Sequence, residues 1–185
     1  LRIFCEYRDS RSFPLLLPLL DQPCPVERMS VVYALGRNPC PSAVEKLVSL
    51  LETDDNAYVR RATAWSLANY DNQIVLKPLI NALKNDVAAV RLWSSSSLAE
   101  IGNVSLENAQ LAAEQLLISL KIDNEPGVRS NCIWSLCRLY EKLNNTFQES
   151  FVDECTKIAL FDKEPSVMEE AKTALDSMGM QGFYN

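Results

Sequence analysis

The stretch AYVRRATAWSLANYDNQIVLKPLINALKNDVAAVRLWSSSSLAEIG, Ala57 to Gly102, states one pattern twice. Val59 and Arg60 are followed by small residues and Leu67; Val90 and Arg91 are followed by small residues and Leu98. Both valine to valine and leucine to leucine span 31 residues. The frame returns at GVRSNCIWSLC (Val128, Leu136) and SVMEEAKTALD (Val167, Leu175), and more weakly at PVERMSVVYALG, where Glu27 takes the valine position and Leu35 the leucine position. Five copies at a period of roughly 31 to 39 residues indicate a solenoid, in which units too small to bury their own apolar faces stack on one another.

Each copy holds two helical patterns. A Leu-rich segment comes first: Phe13–Leu20, Ala43–Leu51, Ile74–Leu83, Leu111–Leu120 and Phe151–Leu160. The Val-to-Leu segment follows after a polar turn such as ETDDNAY, KNDVAA, KIDNEPG or FDKEPS. Apolar residues recur every three to four positions and β-branched alternation is missing, so the fold class is all-α, an α-solenoid of about five helical hairpins. The expected layout is a single domain over 1–185. Residues 1–8 are the tail of a preceding repeat, and repeats follow at 9–40, 41–71, 72–103, 106–140 and 148–180. Leu1–Tyr7 reads as the end of a second helix whose first helix is missing, which predicts further N-terminal sequence. Glu169, Glu170, Lys172 and Asp176 replace apolar positions in the last copy, as a C-terminal cap requires, and MGMQGFYN reads as a short tail.

The intervals Val90–Val128 and Val128–Val167 lengthen to 38 and 39 residues. The surplus falls in GNVSLENAQ and EKLNNTFQES, to be absorbed by longer first helices or by protruding loops. An acid or amide stands six residues before the arginine in three copies: Asp54 and Arg60, Asn85 and Arg91, Asp123 and Arg129. Such residues can cap the second helix and reach the arginine of a neighbouring copy, building a ladder along the stack.

The segments DSRSFPLLLPLLDQ, AYVRRATAWSLA and VLKPLINALKNDVAAVRLWSSSSLAEIG resemble the HEAT-like repeats of the phycobilisome-lyase type. These carry an Asp-Pro-Arg-Ala-Val turn, a Pro-Leu-Ile helix, then Val-Arg and Ala-Leu-Gly-x-Ile-Gly. The resemblance is good over about residues 9–102 and loose beyond. It implies a HEAT-repeat fold and a cyanobacterial photosynthesis or cofactor-assembly setting. Its members include bilin lyases and chaperones of the E/F type, and a scaffold that partners an iron–sulfur assembly protein. The resemblance speaks strongly for the fold and weakly for the activity.

Composition narrows the function. The net charge of −6 argues against a nucleic-acid partner. The longest apolar run, FPLLLPLL, is far too short to span a membrane and contains two prolines. No secretory signal is visible, and the six cysteines, at 5, 24, 40, 132, 137 and 155, form no CxxC pair. Reduced thiols in a cytoplasmic protein are the reading that fits. Histidine is absent, which removes the usual base for a serine or cysteine nucleophile and the usual nitrogen ligand of zinc. Cys24 and Cys40 flank one helix at a separation of roughly 15 to 20 Å, and Cys132 and Cys137 sit about 140° apart around another. Neither pair can share an ion. No resident cofactor is expected.

Stepping 100° per residue along the second helix puts Val59, Ala62, Thr63, Ser66 and Leu67 on its buried arc. The column facing away reads, copy by copy, Met29, Arg61, Leu92, Ser130, Glu169; then Val32, Ala64, Ser95, Ile133, Lys172; then Tyr33, Trp65, Ser96, Trp134, Thr173. It is apolar and aromatic until the last copy. The expected partner-binding residues are therefore Met29, Val32, Tyr33, Arg61, Trp65, Leu92, Ser96, Ile133 and Trp134. Trp65 and Trp134 fit equally well as packing between repeats. Trp93 falls on the buried arc, and the run Ser94–Ser97 suits either a partner's close approach or crowded neighbouring helices.

The leading expectation is a non-catalytic adaptor that binds a partner protein, a phycobiliprotein subunit or a cofactor-assembly protein, through its concave face. The resemblance implies two alternatives: a bilin lyase subunit or chaperone handling a transient phycobilin, and a scaffold in iron–sulfur cluster assembly. As a lyase, Arg61 would meet the bilin propionates and Tyr33, Trp65 and Trp134 would line the cleft.

Overall fold

Val59 and Leu67, the pair that defines the repeat, are both fully buried, and so are their counterparts Val90 and Leu98, Val128 and Leu136, and Val167 and Leu175. The repeat signature is thus the core itself. The computed structural model describes residues 9–71, 73–180 and 182; the expected tail over 1–8, Cys5 and half of the C-terminal tail lie outside the described residues.

Among the described residues there are ten α-helices and no strand. They are α1 (Phe13–Leu16), α2 (Pro25–Arg37), α3 (Val44–Thr53), α4 (Ala57–Leu67), α5 (Leu76–Asn85), α6 (Ala88–Gly102), α7 (Leu106–Ile122), α8 (Pro126–Leu139), α9 (Asn145–Phe161) and α10 (Pro165–Ser177). The all-α solenoid fold of HEAT-like hairpins is as expected. The first Leu-rich segment is broken into α1 and two flanking 3₁₀ turns, Ser10–Ser12 and Leu17–Asp21. Pro14 and Pro18 remove donors from its i→i−4 ladder, and the chain tightens into i→i+3 turns there.

The chain divides into two compact units, Leu1–Ile101 and Gly102–Asn185. In the first, α3 and α4 form a hairpin, α2 packs on α4, and α3 packs on α5. Second helices thus stack on second helices and first on first. Ser97 extends the second-helix layer to α6, its hydroxyl donating to the Ala64 carbonyl at 2.8 Å. In the second unit α7 and α8 form one hairpin and α9 and α10 the next, with α7 on α9 and α8 on α10.

Small side chains let the second helices approach closely. A Cβ on Gly36 of α2 would stand 2.5 Å from Trp65 Cζ3 and 3.2 Å from the Ser66 backbone, so only glycine fits that contact. Thr63, Ser66, Ser94, Ser95 and Ser97 are all buried. Three serines of the run, Ser94, Ser95 and Ser97, are therefore packing residues, while Ser96 is half-buried.

The lengthened intervals are taken up by helix. α7 and α9 each have 17 residues, against 10 for α3 and α5. That surplus of seven equals the jump in period from 31 to 38, about two extra turns on the first helix. Local chemistry sets the ends. Asn56, Ser105 and Asn144 cap α4, α7 and α9 by accepting from backbone N–H groups at 2.9 to 3.1 Å. Pro25, Pro126 and Pro165 open α2, α8 and α10, where a missing N–H costs nothing. α10 closes through Gly179 at φ 76°, with Met180 N–H donating to Leu175 O at 2.9 Å and Gly179 N–H to Asp176 O at 3.0 Å. That is a Schellman closure, and its left-handed residue needs glycine.

Candidate partner-binding surface

Two sets of arginines divide the work. One set is consumed by the fold. Arg28 grips Asp54 with both Nε and Nη2, at 2.8 and 2.9 Å, and Arg60 grips Asp86 the same way at 2.8 and 2.7 Å. In the second unit Arg129 holds Asp162 at 3.2 and 2.7 Å. Each arginine also ties its own turn through Nη1: Arg28 to Gln22 O, Arg60 to Asp54 O, and Arg129 to Asp123 O, at 2.7 to 3.0 Å. Each aspartate in turn caps the following backbone, Asp54 accepting from Asn56 N–H and Asp162 from Glu164 N–H, both at 2.9 Å.

The ladder is present, with corrections to its members. Arg91 donates to the Asp86 carbonyl, while the Asn85 side chain bonds Asn81, so Asp86 and not Asn85 is the rung. Arg28 and Asp162 were absent from the expected set. Arg28 could have been found, because it follows Glu27 as Arg60 follows Val59. Burial is the largest influence on the Asp54 carboxyl and would raise it, but the Arg28 guanidinium and the Asn56 N–H outweigh burial and its net shift is downward. Asp86 behaves alike, burial opposed and exceeded by Arg60 and the Val87 N–H. Open grooves of about 600 Å³ and 460 Å³ run beside these rungs, one in each unit, lined in part by Arg60, Asp86 and Asn81 and by Arg129, Asp162 and Phe161.

The second set sits on aromatic rings. In the first unit, Met29, Tyr33 and Arg37 follow one stripe of α2, and Tyr58, Arg61 and Trp65 one stripe of α4. The Tyr33 and Trp65 rings meet at 5.4 Å between centroids and an interplanar angle of 55°. The Arg37 guanidinium lies 5.6 Å from the Trp65 centroid, and that of Arg61 lies 5.4 Å from Tyr58. Arg61 Nη2 also approaches the Tyr33 hydroxyl at 3.5 Å. In the second unit Arg138 covers Trp134 at 5.0 Å. Arg37, Tyr58 and Arg138 were missed by the sequence reading. The i, i+4 spacing of Trp134 and Arg138 and the i, i+3 spacing of Tyr58 and Arg61 were the available signals.

The expected outward column is only partly exposed. Trp134 is 39% exposed, while Met29, Tyr33, Arg61, Trp65, Leu92 and Ser96 are half-buried. Val32 and Ile133 are corrections: both have no solvent exposure, as do Ala64 and Ser95 in the same row. The helical wheel located the side away from each hairpin's own core. It did not include the next layer, which α4 places over α2 and α10 places over α8. Trp93 is a correction in the other direction, 37% exposed where packing was expected.

Among the described cysteines Cys24 is exposed, Cys137 half-buried, and Cys40, Cys132 and Cys155 buried, none of them in a disulfide. Burial, helped by the nearby Glu170, pushes the Cys137 thiol up to about 11, and burial also raises Cys155. Among the described residues, no group of three His, Cys, Asp or Glu is placed to hold a metal ion. Nor is any described helix long and apolar enough to cross a membrane.

A fold of stacked helical hairpins tied by arginine–aspartate rungs, with an aromatic–arginine surface on its second helices, defines a helical-repeat protein. The sequence profile of HEAT repeats matches residues 1–68 and 44–137, and the chain belongs to the HEAT-repeat family. Its backbone is similar to a chain in the structure of the complex of CpcE and CpcF of phycocyanin lyase from Nostoc sp. PCC7120. The TM-score is 0.70 at 22% identity, over 90% of this chain and 99% of that one. This likeness is one of fold. No curated protein matches the chain significantly in sequence.

Proposed function

We propose that the chain is a non-catalytic HEAT-repeat adaptor that binds a partner protein through the face of its second helices. The observation that carries this reading is the pairing of solvent-reached aromatic rings with arginines held over them, at Trp65 and at Trp134. Aromatic rings and arginines are the side chains that most often anchor protein interfaces. The absence of histidine and the commitment of the ladder arginines to aspartates leave the chain poorly equipped for acid–base or nucleophilic catalysis. Free thiols suit work in the cytoplasm. Capture of a partner from native lysate by the wild type, lost with Trp134→Ala while helicity is unchanged, supports the reading. Capture that survives both Trp134→Ala and Trp65→Ala removes it.

A second reading is favoured by the likeness to a chain of the CpcE–CpcF complex across nearly its full length: a subunit acting in phycobilin attachment. Mixing the protein with phycobilin and an acceptor subunit then produces a shifted chromophore spectrum. An unchanged spectrum, with a second lyase-type chain supplied, argues against it.

A further inference from the structure

The arginines of the first unit differ in how they are satisfied. Arg28 and Arg60 each take an aspartate in two-point contact. Among the described residues Arg37 and Arg61 take no carboxylate, although the chain carries 24 Asp and Glu against 18 Lys and Arg. Arg61 Nε is buried and has no hydrogen-bond partner, and its Nη2 has only the Tyr33 hydroxyl at a long 3.5 Å. Both guanidinium groups instead lie over rings, Arg61 over Tyr58 and Arg37 over Trp65. A guanidinium is weakly hydrated and presents a planar fork that matches a carboxylate.

We propose that Arg61 and Arg37, with Tyr33, Tyr58 and Trp65 between them, form a docking site for an acidic segment of a partner protein, one that sets carboxylates beside an apolar residue. The proposal rests on the adaptor reading and names the partner's chemistry. Charge complementarity selects the occupant: Arg37 and Arg61 flank the Tyr33–Trp65 ring pair with no counter-charge among the described residues, on a chain whose net charge is −6. The cluster lies on a helix face, outside the grooves beside the ladder, and an extended segment covers such a face better than a small acid does. One carboxylate meets the Arg61 guanidinium, a second meets Arg37, and the apolar residue rests on the edges of Tyr33 and Trp65.

The test uses the full chain and a short peptide alternating Glu and Phe, with its Gln–Phe counterpart, followed by calorimetry and by chemical shifts of the Tyr33 and Trp65 rings. Arg37→Gln changes an exposed residue and keeps the test available if Arg61→Gln unfolds. The expected result is binding of the Glu peptide that shifts both rings, weakens with salt, and falls about tenfold or more with the Gln peptide, with Arg37→Gln and with Arg61→Gln. Absent binding, equal affinity for the two peptides, or affinity unchanged in Arg37→Gln overturns it. So does equally tight binding of glutarate or of an oligothymidine. If native-partner capture continues undiminished in Arg37→Gln, the adaptor reading stands and this inference falls.

Discussion

Arg60 of α4 spans to Asp86 beyond α5, 2.7 Å between Nη2 and Oδ1, while Asp54 in its own turn is claimed by Arg28 of the preceding repeat. Each aspartate therefore serves the arginine one repeat back, and the rung joins layers that the backbone connects only through a hairpin. Both partners are largely shielded, with side-chain exposures of 18% and 12% for Arg60 and Asp86. Removing one partner strands a charge that water reaches poorly.

Asp86→Ala is accordingly expected to destabilise the fold by about 3 kcal/mol, the lower end for a buried pair because some solvent access remains. Urea unfolding followed by far-UV circular dichroism measures it. A loss under about 1 kcal/mol, the range of exposed pairs, would show that the rung is ornamental.

The same rungs give the protein an acid limb. Asp54 and Asp86 titrate below their ordinary range in the folded state, so their contribution is complete above the unfolded carboxylate value of about 4 and is lost as pH falls through the lower folded value. Stability measured from pH 6 down should fall more steeply in the wild type than in Asp54→Asn. The variant starts less stable and its curve is flatter below about pH 4.

Tyr70 lies at the other end of the pH scale. Its hydroxyl donates to Leu35 O at 3.1 Å and accepts from Cys40 N–H at 3.4 Å, and burial pushes the phenol up to about 12. Because the folded value is raised, its contribution is complete below about pH 10 and is lost as pH rises through 12. Tyr70→Phe should cost about 1 to 2 kcal/mol at neutral pH, by leaving a buried carbonyl unpaired, and should remove a late-titrating tyrosine from an ultraviolet pH titration.

Gly36→Ala tests the close approach of α2 to α4. The added Cβ meets Trp65 Cζ3 at 2.5 Å, and that ring is held between Tyr33 and Arg37. A loss of about 1 to 3 kcal/mol is expected in thermal or urea unfolding. The combination with Trp65→Ala should cost less than the sum of the two changes, since the clash disappears with the ring. Strict additivity would contradict the contact.

The fold could be read from the sequence because Val59, Leu67 and their counterparts are at once the repeat signature and the buried core. The helix surplus in α7 and α9 could be read from the period for the same reason. The surface was less legible. A helical wheel describes one helix against its own hairpin, so it placed Val32 and Ile133 outward when the stacked second helices enclose them. It likewise placed Trp93 inward, although over a third of that side chain reaches solvent. Arg28 and Arg60 reach aspartates one repeat on, whereas Arg37 lies over Trp65 of the next repeat and Arg61 over Tyr58 of its own helix; the i, i+3 spacing hints at the last contact, but the others depend on how the repeats stack.

Partner binding at the arginine-covered rings of the second helices is read out by hydrogen–deuterium exchange on the purified complex with the captured native partner. Exchange should slow in peptides covering residues 29–37 and 57–67 of the first unit and 130–139 of the second. Slowed exchange confined to the ladder turns or to the first helices α3, α5, α7 and α9 would contradict it.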